Sequence, residues 1–466
     1  MIRAWLTWCN DKILWGIPML VLHFGTGIYL TFRLRFLQLR LRKLIRILFI
    51  RSDREEGKIT SVQALCISLA GTIGTGNIAG VASAVTMGGP GAVFWMWVSA
   101  FFGMVTKYAE IVLSCRFRET DKKGIYHGGP MYVMRDGLGK YGKYMAVLFC
   151  IFGIVASFGI GNIIQVHTAT YSVSEWLEGI NSSIYSHKSF VVFIGIAMAI
   201  FTFLLLNGSA KSIGKATEAL VPVMSGTYLI LALCVIFSYI HQIGPVLCDI
   251  LYGAFSPKAI IGGGTGITIH GAVHHGVARG IFSNEAGLGS SSVAHAASQN
   301  RDASEEGLFG MIEVAFVTLL IGTITAFAIL LPAKAGTFSI PYGSVSGAEL
   351  TTRAMETVLP SALVKGVMTC ILLCFALSTV LTWGYYGECF MMYLGGRRTA
   401  AVYRLLFCMT MMTASFLSSE DIWLLSDSFN ALMAVPNLLS LLLLSGLVVS
   451  ETRHGLSAMN SMLKQR

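Results

Sequence analysis

Apolar residues along this chain gather into eleven long runs, at about 13–32, 60–86, 89–115, 144–176, 190–207, 216–240, 263–289, 308–331, 362–393, 400–417 and 423–449. Each is near the ~20 residues an α-helix needs to cross the hydrocarbon of a bilayer. The pattern predicts an all-α integral membrane protein with about eleven transmembrane helices. No long polar insert or low-complexity stretch interrupts it, so one membrane domain is expected.

Two of the runs are interrupted by residues that a stable helix avoids. Residues 68–80 read Ser-Leu-Ala-Gly-Thr-Ile-Gly-Thr-Gly-Asn-Ile-Ala-Gly, with Gly71, Gly74, Gly76 and Gly80 beside Thr72, Thr75 and Asn77. Four glycines in place of alanine cost a helix about 4 kcal/mol. Lipid cannot hydrogen-bond the backbone such a stretch frees, so the break must be packed in protein or line a cavity. Free amides and carbonyls at membrane depth suit small ions and polar solutes. A second glycine-rich stretch, residues 262–271, opens the seventh run. The two breaks lie five helices apart and enter from opposite sides. Runs two to six and seven to eleven then form an inverted 5+5 repeat preceded by one extra helix. This divides the chain into 1–59 (extra helix and a basic amphipathic segment), 60–240 and 241–450 (the repeats), and 451–466 (a cytoplasmic tail). The competing reading of the glycines is close helix packing.

Charge sets the orientation. Alternating sides from an external N-terminus places 25 Lys and Arg on the inner loops and 7 on the outer ones, with Lys107 and Arg279 inside spans. That asymmetry follows the positive-inside rule, and a miscounted helix would scramble it. It puts the C-terminus in the cytoplasm and lays the Arg-rich stretch 33–51 on the inner surface. The basic cluster follows the first apolar run rather than preceding it, the reverse of a signal peptide. Composition agrees: 54% of residues are hydrophobic, 12% are charged, and the mean hydropathy is +0.68. The net charge of +10 is explained by loop sidedness, which argues against a nucleic-acid partner. Ten cysteines without a CxxC pair read as small buried hydrophobes; Cys370 and Cys374 share a helix face but lack His or carboxylate neighbours for a metal.

The run GTIGTGNIAGVASAVTMGGPGAVFWMWVSAFFGMVTKYAE (71–110) resembles the alanine or glycine:cation symporter family, prokaryotic sodium-coupled transporters of small amino acids with a LeuT-type fold. HGGPMYVMRDGLG (127–139), GVARGIFSNEAGLGSSSVAHAA (276–297) and the Ser378–Glu388 stretch strengthen the resemblance. It implies a plasma-membrane symporter importing a small neutral amino acid by alternating access. Sodium is co-transported, and no organic cofactor or enzymatic chemistry is involved. Within transporters the alternatives are a larger substrate such as glutamine, or proton coupling. An enzyme or a channel is the distant alternative; an enzyme would show a His/Asp/Glu constellation at one membrane face.

Roles can then be placed. A substrate carboxylate would be received by amides at the start of a half-helix, from Gly74, Thr75, Gly76 and Asn77, with Thr72 beside them. Asn162 and Gln165 face the same side one turn apart, and Gln165 resembles the family position that contacts substrate; either amide could instead bind helix to helix. Trp383 reads as a pocket wall or as ordinary packing. Sodium favours oxygen ligands, and Ser378 and Thr379 are the hydroxyl candidates. By analogy with the fold they face carbonyls near Ala70 and Ile73, unless they bond their own helix backbone. Arg279, Ser283, Asn284, Glu285 and Glu388 lie towards the inner ends of their spans and are expected to form an inner gate. Lys107 and Glu110, at i, i+3, are expected to neutralise each other. His270, His274 and His275 could add proton sensitivity but read more simply as structural histidines. Relatives place an aromatic residue after the glycine pair of the second break; Gly264 stands there instead and would enlarge the pocket.

Overall fold

The computed structural model describes residues 2–40, 59–122, 124–178, 187–208, 210–256, 269–300, 302–343, 347–413 and 419–464. Helices run in the order α1 (Ile2–Cys9), α2 (Ile17–Arg33), α3 (Ser61–Thr72), α4 (Thr75–Gly88), α5 (Gly91–Arg116), α6 (Pro130–Gly137), α7 (Gly142–Phe158), α8 (Ile164–Glu178), α9 (His187–Leu206) and α10 (Ala210–Ser238). They continue as α11 (Ile243–Phe255), α12 (Ile269–Asn284), α13 (Ser292–Ala296), α14 (Ala303–Val314), α15 (Thr323–Lys334), α16 (Ala348–Met355), α17 (Ser361–Thr413), α18 (Ser419–Leu443) and α19 (Ser445–Lys464). A small hairpin, β1 (Glu119–Thr120) and β2 (Tyr126–His127), pairs Glu119 with His127.

Six helical stretches are long and apolar enough to cross a membrane, and two bent helix pairs add to them. The chain is a multi-pass helical membrane protein. One bent pair is α3 with α4, which meet at 45° where the first glycine-rich stretch lies. Thr60 starts α3 with a capping box: its Oγ1 accepts from Gln63 N at 3.1 Å, and Gln63 Oε1 accepts from Thr60 N at 3.2 Å. Ile73 and Gly74 then leave helical geometry, and α4 begins anew. The second glycine-rich stretch, with Gly264, lies mostly outside the described residues, and α12 begins at Ile269.

Two spans, α7 with α8 and α14 with α15, are joined through π-helical turns at Gly159–Ile163 and Ala315–Gly322. The ninth and tenth runs are continuous in α17 except at Gly396, whose φ of 80° breaks the helix between them. The last run differs from expectation. Helix α18 stops at Leu443, and α19 departs at 65° through the segment expected to be a tail. Packing explains this: Tyr108 Oη donates to Thr452 Oγ1 at 3.0 Å, and Ser304 Oγ donates to the Glu451 carbonyl at 2.8 Å. Helices α6, α11 and α16 also occupy stretches expected to be loops. Helix α11 lies directly on α5, because Gly91 and Gly253 let the two backbones touch; a Cβ on Gly91 would sit 2.2 Å from the Gly253 carbonyl carbon.

Candidate functional site

The break between α3 and α4 is held by polar contacts on both sides. The N-cap of α4 is Gly74, which has no side chain with which to cap the first amides, and Asn77 N donates to the Gly74 carbonyl at 3.2 Å. The Asn77 amide spans the break: it donates to the Thr72 carbonyl and accepts from Ser283 Oγ on α12. Ser283 Oγ and Asn284 Nδ2 each lie 3.1 Å from Thr318 Oγ1 in the second π-helical turn. Asn77 is thus a splint joining α3, α4 and α12, with the π-helical turn reached through Ser283. Thr72 Oγ1 turns back to the Ser68 carbonyl at 3.1 Å, while Gly76 packs against the Phe282 ring.

Helix α17 presents hydroxyls to the carbonyl end of α3. Thr379 Oγ1 donates to the Ala70 carbonyl at 3.0 Å, and one turn on Thr382 Oγ1 donates to the Ile67 carbonyl at 3.0 Å. Ser378 Oγ lies 3.5 Å from the same Ala70 oxygen but bonds more closely, at 3.0 Å, to the Phe375 carbonyl of its own helix. Cross-helix bonding therefore belongs chiefly to Thr379. Ile73 is fully buried at the end of α3.

Gly74 brings the backbone close to α17 and to the first turn of α8. A Cβ placed on it would sit 2.9 Å from Thr379 Oγ1 and 3.8 Å from Gln165 Oε1. Gln165 Nε2 donates to the Ile160 carbonyl, which the π-helical turn exposes, at 3.0 Å. Asn162 points elsewhere: its Nδ2 donates to the Phe407 carbonyl at 2.6 Å and to Thr410 Oγ1 at 3.0 Å, tying this turn to α17. Trp383 is buried against Gly161, where an added Cβ would lie 2.2 Å from the tryptophan Cβ. Beyond the site, a cavity of about 480 Å³ is lined by Ala79, His167, Tyr171, Trp176, Arg353 and Met368, among others. Tyr171 is six residues from Gln165, about 9 Å along the helix. The cavity thus lies within reach of the break.

The polar residues at the other end are arranged differently from the expected gate. Arg279 stacks over Phe282, Glu285 accepts from Ser290 Oγ at 2.6 Å, and Glu388 pairs with Arg404 at 2.5 Å. Among the described residues no hydrogen bond or ion pair joins Arg279, Glu285 and Glu388 to one another. Lys107 and Glu110 do not pair either. Lys107 Nζ donates to the Asn284 carbonyl at 2.9 Å and faces Glu313 Oε1 at 3.2 Å. Glu110 Oε1 accepts from the Gly287 and Gly289 amides at 2.8 and 3.1 Å and from Asn437 Nδ2 at 2.6 Å. Both side chains fasten the turn after α12, where Glu285, Gly287 and Gly289 have φ of 53°, 95° and 79°. Backbone amides gathered in such a turn form a concavity that receives an anion, which is how Glu110 is held here. His274 lies 3.0 Å from the Trp15 carbonyl and stacks on His270, and His275 meets it edge-on. Among the described residues no cluster of three or more His, Cys, Asp or Glu is set to hold a metal. Sequence reasoning passed over Glu313, whose carboxylate in an apolar span was a sufficient signal. Thr318 carried no such signal.

Residues 1–464 match the pattern of the sodium:alanine symporter family. The sodium/alanine symporter AgcS of Methanococcus maripaludis is 41% identical over 449 residues, covering 95% of this chain and 95% of that protein. The probable sodium/glutamine symporter GlnT of Bacillus subtilis is 35% identical, covering 95% of this chain and 88% of that one. The solved structure of MhsT in complex with L-phenylalanine matches 83% of this chain and 89% of its own, with a TM-score of 0.57 at 15% identity. That likeness speaks for the fold alone, which is LeuT-type. By family pattern and by relatives matched almost end to end, the chain belongs to the sodium:alanine symporter family, whose members are transporters and not enzymes.

Proposed function

We propose that this chain is a symporter that imports a small neutral amino acid of the alanine and glycine class, coupled to sodium by alternating access. The observation that carries the reading is the break at Ile73 and Gly74. Helix α4 starts there without a side-chain cap, while Thr379 reaches across to the Ala70 carbonyl. Uncapped amides at a positive dipole end receive the substrate carboxylate. Gly74, Thr75 and Gly76 supply them, with Gln165 alongside. Sodium takes the place of the hydrogen bond between Thr379 and Ala70 O: the Thr379 and Ser378 hydroxyls keep their protons, turn them aside and offer oxygen lone pairs, with Ala70 O and Ile73 O completing the set. Asn77 and Thr72 shape the break, Ser283 and Asn284 hold it to α12, and Trp383 and Asn162 support the π-helical turn. Arg279, Glu285 and Glu388 lie on the inner side of this site.

The same reading takes the eleven apolar runs as eleven spans, an extra first helix and two inverted repeats, with the N-terminus outside and the C-terminus in the cytoplasm. Glutamine is the second substrate reading, supported by the similarity to GlnT and by Gly264, which stands where the family resemblance leads one to expect an aromatic residue. The deciding experiment is uptake of labelled alanine, glycine and glutamine into proteoliposomes with and without an inward sodium gradient. Sodium-dependent accumulation of alanine or glycine is expected. Accumulation indifferent to sodium but driven by a proton gradient refutes the coupling, and glutamine alone accumulating refutes the substrate class.

A further inference from the structure

The inner end of α3 is docked onto the segment linking α13 to α14. Ile59 forms a parallel bridge with Ser298, and its carbonyl accepts from Gln299 N at 2.8 Å. Two residues on, Ser61 Oγ donates to Glu306 Oε2 at 2.6 Å. The other oxygen of Glu306 lies 2.7 Å from His295 Nδ1, and the side chains of both residues are fully buried. His295 Nε2 stands 3.7 Å from Glu313 Oε2, and Glu313 in turn faces Lys107. Burial works against the His295 imidazolium, but hydrogen bonds and charges from Glu306 and Glu313 outweigh it and raise its pKa above the ordinary histidine value.

The far side of this network is anchored to α5. Ser114 and Ser292 hydroxyls meet at 2.9 Å, and Arg118 clamps the Ser298 and Asn300 carbonyls at 2.8 and 2.5 Å. Helix α3 joins the network through the Ser61 hydroxyl, through Ser68, whose hydroxyl lies beside Glu313, and through the short backbone bridge just before its first turn. A buried ionic network is a poor source of net stability, since desolvation consumes most of the attraction, so its retention points to a positional role.

We propose that Glu306, held by His295, is a latch that keeps the inner half-helix α3 docked, and that its separation from Ser61 opens the inner path. This rests on the alternating-access reading above. Both are positioning residues, since neither touches the break where substrate and sodium bind.

Cys66 reports on the latch. It is buried on α3, five residues beyond Ser61. Purified full-length protein is treated briefly with N-ethylmaleimide, and Cys66 modification is followed by peptide mass spectrometry in the wild type, Ser61→Ala, Ser61→Thr and Glu306→Gln. Ser61→Ala and Glu306→Gln are expected to speed Cys66 labelling about tenfold, the population change that accompanies loss of one hydrogen bond to a charged group. Ser61→Thr, which keeps the hydroxyl, is expected to retain the wild-type rate. Unchanged labelling in a folded Ser61→Ala protein overturns the latch, as does equal acceleration in Ser61→Thr. Glu306→Gln that fails to fold leaves the Ser61 pair to decide. Labelling is read without transport, so absence of sodium-driven uptake by the wild type would refute the symport reading separately.

Discussion

Replacing Thr379 by valine separates a sodium ligand from a hydrogen bond that merely packs two helices. The side chain is buried, its Oγ1 is 3.0 Å from the Ala70 carbonyl, and a Cβ on Gly74 would lie 2.9 Å from it. Valine keeps the shape and removes the oxygen, so little repacking is needed. If the hydroxyl only ties α17 to α3, the cost is about 1–3 kcal/mol of stability for the carbonyl left unpaired, with the sodium response unaltered. If it also ligates sodium, a loss of about 2–3 kcal/mol in ion binding raises the sodium concentration for half-maximal uptake roughly 30- to 150-fold. Thr379→Ser should restore most of it. The assay is alanine uptake into proteoliposomes across a sodium series. A parallel thermal melt at rising sodium follows, because an ion that binds only the folded state stabilises it by about 2.7 kcal/mol at a hundred times its dissociation constant. A folded Thr379→Val protein with wild-type half-saturation and wild-type sodium stabilisation would refute the assignment.

Gly161→Ala would force a Cβ to 2.2 Å from the Trp383 Cβ, where carbon contacts normally begin near ~3.5 Å, and should cost at least about 1–3 kcal/mol with loss of uptake; a wild-type melting temperature in detergent would contradict the close packing. Lys107→Met should destabilise by about 3–5 kcal/mol, because it removes the nearer cation from the buried Glu313 carboxylate and leaves it facing His295 at 3.7 Å. Adding Glu313→Gln should recover much of that loss in the same melt, and a double variant no better than the single would disprove the pairing. Gly264→Phe should narrow competition profiles towards glycine and alanine while sodium-driven uptake persists; identical profiles in a folded variant would remove Gly264 from the pocket.

What was legible in the sequence was what is written locally. Apolar runs of helical length announce membrane spans, and glycines among threonines and an asparagine announce a break. The structure places the bend between α3 and α4 at that stretch. Short or bent elements were not legible: α11 and α16 are short helices in stretches read as loops, and α19 follows an apolar run without sharing its direction. Pairing of charges was not legible either. Lys107 and Glu110 are neighbours in sequence, but their partners lie 177 residues and more away. Proximity on one helix turn is worth only a few tenths of a kcal/mol. A buried charge in need of hydrogen bonds outweighs it and takes whatever the tertiary fold brings near.

The run Ser283-Asn284-Glu285-Ala286-Gly287-Leu288-Gly289 shows how a specific motif can carry geometry rather than chemistry. Read from the sequence it suggested a gate, because it holds polar and charged residues near a span end. In the structure its glycines supply positive φ, its amides converge on Glu110, and its Asn284 carbonyl receives Lys107. Its Ser283 reaches the opposite way, to Asn77 in the break. The turn is therefore fastened to α5 by two buried charges, whereas α3 is fastened to its neighbours by uncharged donors: the hydroxyls of Ser61, Thr379 and Thr382, the Gln63 amide on Glu218 at 3.0 Å, and Ser68 beside Glu313. Breaking a hydroxyl contact costs far less than stranding a buried charge. Under the alternating-access reading proposed above, a movement of α3 against α5, α12 and α14 has to exchange these hydrogen bonds rather than strand the charges on Lys107 and Glu110, and the break at Ile73 and Gly74, where α3 and α4 already meet at 45°, is where the chain would bend.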